Sequence, residues 1–218
     1  KIFDSHFHII ENEYPLVVNE RYSPDQFRIS DYKRVLNDFE LLGGVLVAAS
    51  YHGFDHRHIT GTLRRLGQHF VGVAQVPYDI SDDELHQLAE SRIKAVRFNI
   101  KRGVHKDTEK IRLLAERVYT LFGWHSEFYM DPSQLNDLYG FLLELPRVSI
   151  DHMGLSESAY ETVLKLAEKG VRIKATGFGR LDLDIKKAVK DISEINEDVL
   201  MFGTDLPSTR ANRVFNKE

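Results

Sequence analysis

Cysteine is absent from this 218-residue sequence, which removes disulfides, thiolate nucleophiles and cysteine-based zinc sites together. Any metal ion would have to be held by histidine and carboxylate. A basic excess is missing as well. The 29 Lys and Arg against 33 Asp and Glu leave a formal charge of -4, so no surplus of cations exists to neutralise a phosphate backbone or an anionic bilayer. Neither nucleic acid nor membrane is expected as a partner. No apolar run approaches the roughly 20 residues that span a bilayer, and the opening Lys1-Ile2-Phe3-Asp4-Ser5-His6 lacks the apolar stretch of a signal peptide, so a cytoplasmic protein is expected. No Pro/Ser linker, low-complexity tract or composition shift divides the chain, and one domain over residues 1–218 is expected. Since the first residue is not Met, a chain incomplete at one or both ends is also expected.

What the sequence does contain is a regular alternation. Short apolar, β-branched runs occur at residues 1–9, 44–49, 70–76, 93–99, 124–130, 147–152, 171–176 and 199–205, with amphipathic stretches of helical length between most of them. Helices are predicted over 31–42, 82–90, 107–122, 132–145, 157–169 and 182–195. Ser30, Ser81 and Ser156 are placed to cap N-termini, Pro132 suits a first turn, and Gly43, Gly123 and Gly170 suit C-terminal stops. Strand and helix in alternation predict a parallel sheet, because parallel neighbours need a crossover. Eight units favour closure into a (β/α)8 TIM barrel over an open doubly wound sheet. A helix after the eighth strand would need residues beyond Glu218, so the barrel is expected to lack its last helix. Residues 10–30, with Tyr14, Arg21 and Tyr22, and residues 53–62 read as loops, the first lying over the C-terminal mouth of the strands.

Chemistry concentrates at the strand ends. Asp4-Ser5-His6-Phe7-His8 closes the first run, where alternation turns His6 and His8 the same way and Phe7 towards the helices. Two imidazoles so placed can meet one ion or one substrate, although two packed histidines would read the same. The sixth run ends Ile150-Asp151-His152-Met153-Gly154 and the eighth Gly203-Thr204-Asp205-Leu206-Pro207. Alone, His152 is readable as a packed histidine and Asp205 as a cap or turn residue. On a closed barrel His6, His8, His152 and Asp205 would converge at the C-terminal rim, where barrel enzymes place their active sites. Neutral imidazoles with a carboxylate match the ligand set of catalytic zinc.

Arg97 stands among apolar neighbours in the fourth run, so it is either paired with a carboxylate inside the barrel or reserved for an anionic substrate. In the fifth run His125, Glu127 and Tyr129 share a face, with Tyr129 nearest the mouth as a donor to substrate and the other two in a deeper polar network. Gly177 and Gly179 allow a tight turn from which Arg180 leans into the mouth or out to solvent, and Arg210 offers a further cation near the rim. His52, His56, His58, His69, His86 and His105 share no common direction and read as structural or surface residues.

These blocks, Phe3-Asp4-Ser5-His6-Phe7-His8, Ala95-Val96-Arg97-Phe98-Asn99, Gly123-Trp124-His125, Ile150-Asp151-His152-Met153-Gly154 and Gly203-Thr204-Asp205-Leu206-Pro207, span nearly the whole chain. In content and order they resemble the amidohydrolase superfamily, and within it the branch of 2-pyrone-4,6-dicarboxylate lactonase and related sugar lactonases. The resemblance implies a (β/α)8 barrel that hydrolyses lactones, esters or amides. It also implies that His6, His8, His152 and Asp205 form the catalytic cluster, and that Arg97, Tyr129 and Arg180 hold substrate carboxylate or carbonyl oxygens. Metal-rich members carry Lys or Glu at the end of strand four and His at the end of strand five, where this chain has Arg97 and Tyr129, so a binuclear site is not expected. Within the branch both metal-free members and members with one divalent ion are described. The cofactor expected is therefore none or one divalent metal, zinc first, on His6, His8 and Asp205.

The function expected is hydrolytic opening of a carboxylate-bearing lactone by water that Asp205 deprotonates, with a small anionic molecule as the partner. Two rivals remain at this level. One is a mononuclear zinc hydrolase or decarboxylase acting on amides, esters or acidic aromatics; the other is a barrel that binds a small acid without turning it over.

Overall fold

In the computed structural model, residues 1–17 and 22–216 are described; Arg21 of the first long loop lies outside them. Eight strands follow the eight apolar runs: β1 (Ile2–Phe7), β2 (Leu41–Val47), β3 (Phe70–Ala74), β4 (Ile93–Asn99), β5 (His125–Tyr129), β6 (Val148–Ile150), β7 (Arg172–Ala175) and β8 (Leu200–Phe202). They form one sheet in sequence order, and each neighbouring pair from β1 to β8 is parallel. The helices between them are α1 (Ile29–Val35), α2 (Arg57–Leu66), α3 (Asp82–Glu90), α4 (Thr108–Phe122), α5 (Pro132–Asp137), α6 (Tyr139–Glu144), α7 (Tyr160–Glu168) and α8 (Ile185–Asn196). After β8 the described chain runs on in turns and irregular backbone without a further helix.

Closure is made just beyond the ends of the first and last strands. Asp205 donates its backbone N–H to the His6 carbonyl at 2.8 Å, and His8 donates to Leu206 at 2.7 Å. Asp4 reinforces this seam from within: its carboxylate accepts from the backbone N–H of Thr204 at 2.9 Å, from the Thr204 hydroxyl at 2.7 Å and from the Tyr32 hydroxyl at 3.1 Å. Gly203 is required there, since a Cβ would come within 2.7 Å of the His6 backbone nitrogen.

Apart from a small patch of Ile10, Ala49 and Tyr51, the described core divides into two regions. The larger packs the outward faces of the strands, for example Phe7, Val96, Phe98 and Phe128, against helix residues such as Tyr32, Leu63, Leu85, Ile111 and Leu166. The smaller lies inside the barrel, where Val47, Val73 and Ala95 form an apolar cluster with Val45 against it. The interior sides of β1, β4, β5 and β7 carry His6, Arg97, Glu127 and Lys174 instead, all buried.

Several expectations are corrected. Residues 53–62 are not a loop throughout, because α2 begins at Arg57. Its Thr60, Gly61 and Thr62 are poor helix formers, but Ile59, Leu63 and Leu66 fall at helical spacing and are buried, so packing overrides propensity. The helix predicted to Leu42 stops at Val35, and Leu41, Leu42 and Gly43 already belong to β2. Ser30 lies inside α1 rather than at its cap. The predicted helix 132–145 is interrupted at Leu138. Ser81 and Gly123 act as expected: Ser81 accepts from the Glu84 N–H, and Gly123 takes a left-handed conformation after α4.

Asp4→Ala would leave four buried donors without their carboxylate, the His6 backbone N–H being the fourth, and a loss of roughly 3 kcal/mol in urea unfolding is expected; an unchanged midpoint would show the seam to be held elsewhere. Acid should also weaken the fold. Burial lowers the His58 imidazole from 6.5 to about 4 and lowers His52 and His105 in the same direction. The unfolded chain then takes up protons below 6.5 that folded His58 refuses until about 4, so stability is full above this interval and falls as pH drops through it. The melting temperature is expected to decline across that window, with a shallower slope in His58→Gln.

Candidate active site

The seam places β1 and the segment after β8 side by side, and the predicted cluster forms at their C-terminal ends. The Oδ1 atom of Asp205 lies 3.7 Å from Nε2 of His6, 3.6 Å from Nε2 of His8 and 4.0 Å from Nε2 of His152. All four side chains are buried. His6 and His8 do point the same way, and their rings meet edge to face at 5.0 Å.

His152 arrives by another route. β6 stops at Ile150, and strict alternation would turn His152 away from the face that Asp151 occupies. Left-handed backbone at His152 (φ 53) and Met153 (φ 45) instead lets both Asp151 and His152 face the interior. Such a conformation is uncommon outside glycine and often marks a functional site. Asp205 is also left-handed, at φ 56. The His152 ring passes so close to Gly177 that a Cβ there would lie 2.6 Å from Nδ1, and Gly177 itself has a φ of +65°. Glycine is needed at that position on both counts.

The second oxygen of Asp205 is held by Arg180, whose Nε and Nη2 donate to Oδ2 at 3.0 and 2.5 Å. Arg180 also donates to the Thr209 carbonyl at 2.8 Å. Burial by itself would raise the Asp205 carboxyl; His152 and Arg180 beside it outweigh burial and hold the group far below the ordinary carboxylate range. Burial lowers His152 to about 4 and His6 well below 6.5, so both imidazoles are neutral near pH 7.

Beneath the cluster lies a closed ionic network. Arg97 donates to Asp151 Oδ2 from Nε at 3.2 Å and Nη2 at 2.6 Å, and to the Ala48 carbonyl at 2.9 Å. Lys174 pairs with Glu127 and lies 3.9 Å from Asp151 Oδ1. Burial would raise Asp151, but Arg97, His6 and Lys174 together hold it well below its usual range, whereas burial and the Asp151 charge push Glu127 up. Of the two readings of Arg97, its contacts are those of the internal pair, although its side chain also lines the mouth.

The mouth is lined by His8, Tyr51, Arg97, Asn99, Arg102, Tyr129, His152, Arg180, Asp205 and Arg210, among others. The predicted substrate residues Tyr129 and Arg180 therefore reach it, and so does Arg210, which also lies over the Tyr22 ring at 4.4 Å. Not all the remaining histidines are scattered, which corrects that expectation. His52 and His58 stack at 3.6 Å, both buried. The sequence reading gave no role to Lys174 or Asp151. The signal for Lys174 was available: a charge within an apolar run, as at Arg97.

The spacing of the donor atoms is that of a site for one cation. His6 Nε2, His8 Nε2 and Asp205 Oδ1 lie within 4.8 Å of one another, as do one donor each from His6, Asp151 and His152. His6 Nε2 and Asp205 Oδ1 are buried without a hydrogen-bond partner. His8 Nδ1 lies 2.7 Å from the Val47 carbonyl, which can only accept, so its proton sits on Nδ1 and its Nε2 lone pair faces the cluster.

A 2-pyrone-4,6-dicarbaxylate hydrolase of Comamonas testosteroni is 33% identical over 156 residues, which are 69% of this chain and 51% of that protein. The chain thus spans about half the length of that relative. A 4-sulfomuconolactone hydrolase of Rhizobium radiobacter is 26% identical over 232 residues, covering 94% of this chain and 75% of that protein. The crystal structure of a probable 2-pyrone-4,6-dicarboxylic acid hydrolase from Acinetobacter baumannii, with citric acid bound, matches with a TM-score of 0.85 at 24% identity, covering 96% and 85% of the two chains. That likeness is one of fold. The family model described as Amidohydrolase matches residues 3–211, from the strand that carries the histidine pair to the turn past Asp205. A parallel eight-stranded barrel with its histidines and late aspartate at one rim is thus matched by a family pattern over almost its whole length: the chain belongs to the amidohydrolase family.

Proposed function

We propose that this protein opens an anionic lactone by adding water to the ring carbonyl, with Asp205 as the base. The observation that carries this reading is Asp205 Oδ1, a buried carboxylate oxygen with no hydrogen-bond partner among the described residues and three imidazole nitrogens within 4.0 Å. An unsatisfied buried oxygen costs stability, and its retention in the mouth of a barrel is understandable if water or substrate completes it.

In this scheme Oδ1 takes a proton from water as the oxygen attacks the lactone carbonyl carbon. The carbonyl π electrons move onto its oxygen, which becomes an oxyanion stabilised by donors from the imidazole ring of the site. Re-formation of the carbonyl breaks the ring C–O bond, and the proton on Asp205 returns to the departing oxygen. The product is an open chain with a new carboxylic acid, which releases the second proton of the water to solvent and becomes a carboxylate. Where a divalent ion is bound by His6, His8 and Asp205, it would supply polarisation of the carbonyl.

The substrate class follows from charge. Arg97, Arg102, Arg180 and Arg210 line the mouth, and among the described lining residues Asp205 is the one carboxylate. A lactone with two anionic groups suits that excess, and the names of the two relatives, one a dicarboxylate hydrolase and one a sulfo-lactone hydrolase, point the same way. Arg180 has a double part. It clamps Asp205 and makes it a weak base; a substrate carboxylate that draws the guanidinium away would restore basicity as the substrate binds. The space among these groups is only about 30 Å³, enough for one or two waters. A ring is therefore admitted as Arg180 yields.

Asp205→Asn is expected to lower kcat on a carboxylated lactone by about a thousandfold or more while the circular dichroism spectrum is retained; retained turnover would remove Asp205 as the base. Arg180→Met should raise KM for a dicarboxylated lactone by roughly tenfold to a hundredfold. The same change should have little effect on KM for a neutral lactone, and an equal effect on both would place Arg180 outside substrate binding.

A further inference from the structure

The two histidines of the first strand look interchangeable in sequence, but their Nδ1 atoms face opposite chemistry. His8 Nδ1 faces a carbonyl oxygen, an acceptor. His6 Nδ1 faces the Lys174 ammonium at 3.2 Å, and an ammonium has three hydrogens to donate and no lone pair. Lys174 is buried and fixed by its ion pair with Glu127. Asp151 Oδ1 is the other candidate partner for this nitrogen, at 3.4 Å, the longer of the two contacts. Glu127 Oε1 lies farther off, at 3.7 Å.

From this geometry we infer that Lys174 is a positioning residue: it donates to His6 Nδ1 and thereby keeps the His6 proton on Nε2, aimed into the site. A neutral imidazole has one N–H, so a lone pair used at Nδ1 puts the hydrogen on Nε2. His6 then serves as a hydrogen-bond donor to the oxyanion of the proposed hydrolysis, whereas His8 presents a lone pair. The pair is a donor and an acceptor rather than two like ligands. The three-atom group of His6, His8 and Asp205 has the spacing for a divalent ion, but one of its nitrogens is occupied by a proton while Lys174 is in place.

Charge acts in the same direction. Arg97 and Lys174 balance Asp151 and Glu127, and Arg180 balances Asp205, so the buried compartment is already neutral before any cation enters. Removing Lys174 and Glu127 together, as Lys174→Met with Glu127→Gln, preserves that balance and, besides ending the 3.5 Å contact of Arg97 with Glu127, changes what His6 Nδ1 faces. Asp151 becomes its one remaining charged partner, drawing the proton to Nδ1 and freeing Nε2 to ligate.

The catalytic consequence rests on the proposed lactone hydrolysis, but the tautomer does not, and it is read without substrate. In protein labelled with 15N-histidine, two-bond proton–nitrogen correlations distinguish the tautomers, and His6→Asn assigns the signal. The wild type is expected to show His6 protonated at Nε2, and the double variant at Nδ1. Equilibrium dialysis with zinc should show the double variant binding about tenfold tighter or more. On a carboxylated lactone its kcat should fall, with KM little changed. Wild-type His6 protonated at Nδ1, or a double variant that binds zinc no more tightly, would overturn the inference. Should the variant fail to fold, the wild-type tautomer alone decides. A wild type with His6 at Nε2 but no turnover on any lactone would leave the role of Lys174 standing and remove the proposed reaction.

Discussion

Inside the barrel, charges that would be intolerable singly are held in contact. Arg97 lies against Asp151, Lys174 against Glu127, and Arg180 against Asp205, with almost no exposure to water except at Arg180. Each ion is stranded at a cost of several kcal/mol if its partner is removed. The strands that carry them, β4, β5 and β7, with the turns after β6 and β8, are therefore constrained to one mutual placement. The imidazoles of the site rest on this floor. His6 touches it directly through Nδ1, and His152 is steadied at Nδ1 by Thr176 at 2.8 Å.

The same network separates two kinds of carboxylate. Asp151 and Glu127 face inward to cations that do not leave. Asp205 faces the mouth with one oxygen held by Arg180 and the other unpartnered. Burial acts on all three, yet only Asp205 is placed to meet a small molecule. The division of labour between floor and rim is thus electrostatic: permanent compensation below, and above it a compensation that, in the reaction proposed, an anionic substrate displaces.

Much of this was legible in sequence because it depends on periods of two and 3.6. All eight strands were marked by apolar runs, and β4 was bounded at the residues the structure gives. The histidine pair and the terminal aspartate followed from alternation and strand ends. The second helix was not legible, since its Thr and Gly residues disguise an apolar stripe that only burial reveals. Nor did alternation account for His152, which enters the site through left-handed backbone. The His52–His58 stack was also hidden, because it joins a turn after β2 to α2 across space.

Local pattern and composition were enough to favour a parallel eight-unit barrel over an open sheet, to exclude cysteine chemistry and to single out four residues at the strand ends. The tertiary structure alone decided which partner each of those residues has. That Arg97 is spoken for by Asp151, that Arg180 clasps Asp205, and that His6 and His8 carry their protons on opposite nitrogens all depend on contacts between strands far apart in the chain. A residue's type fixes what it can donate or accept; only closure of the barrel fixes what stands opposite it.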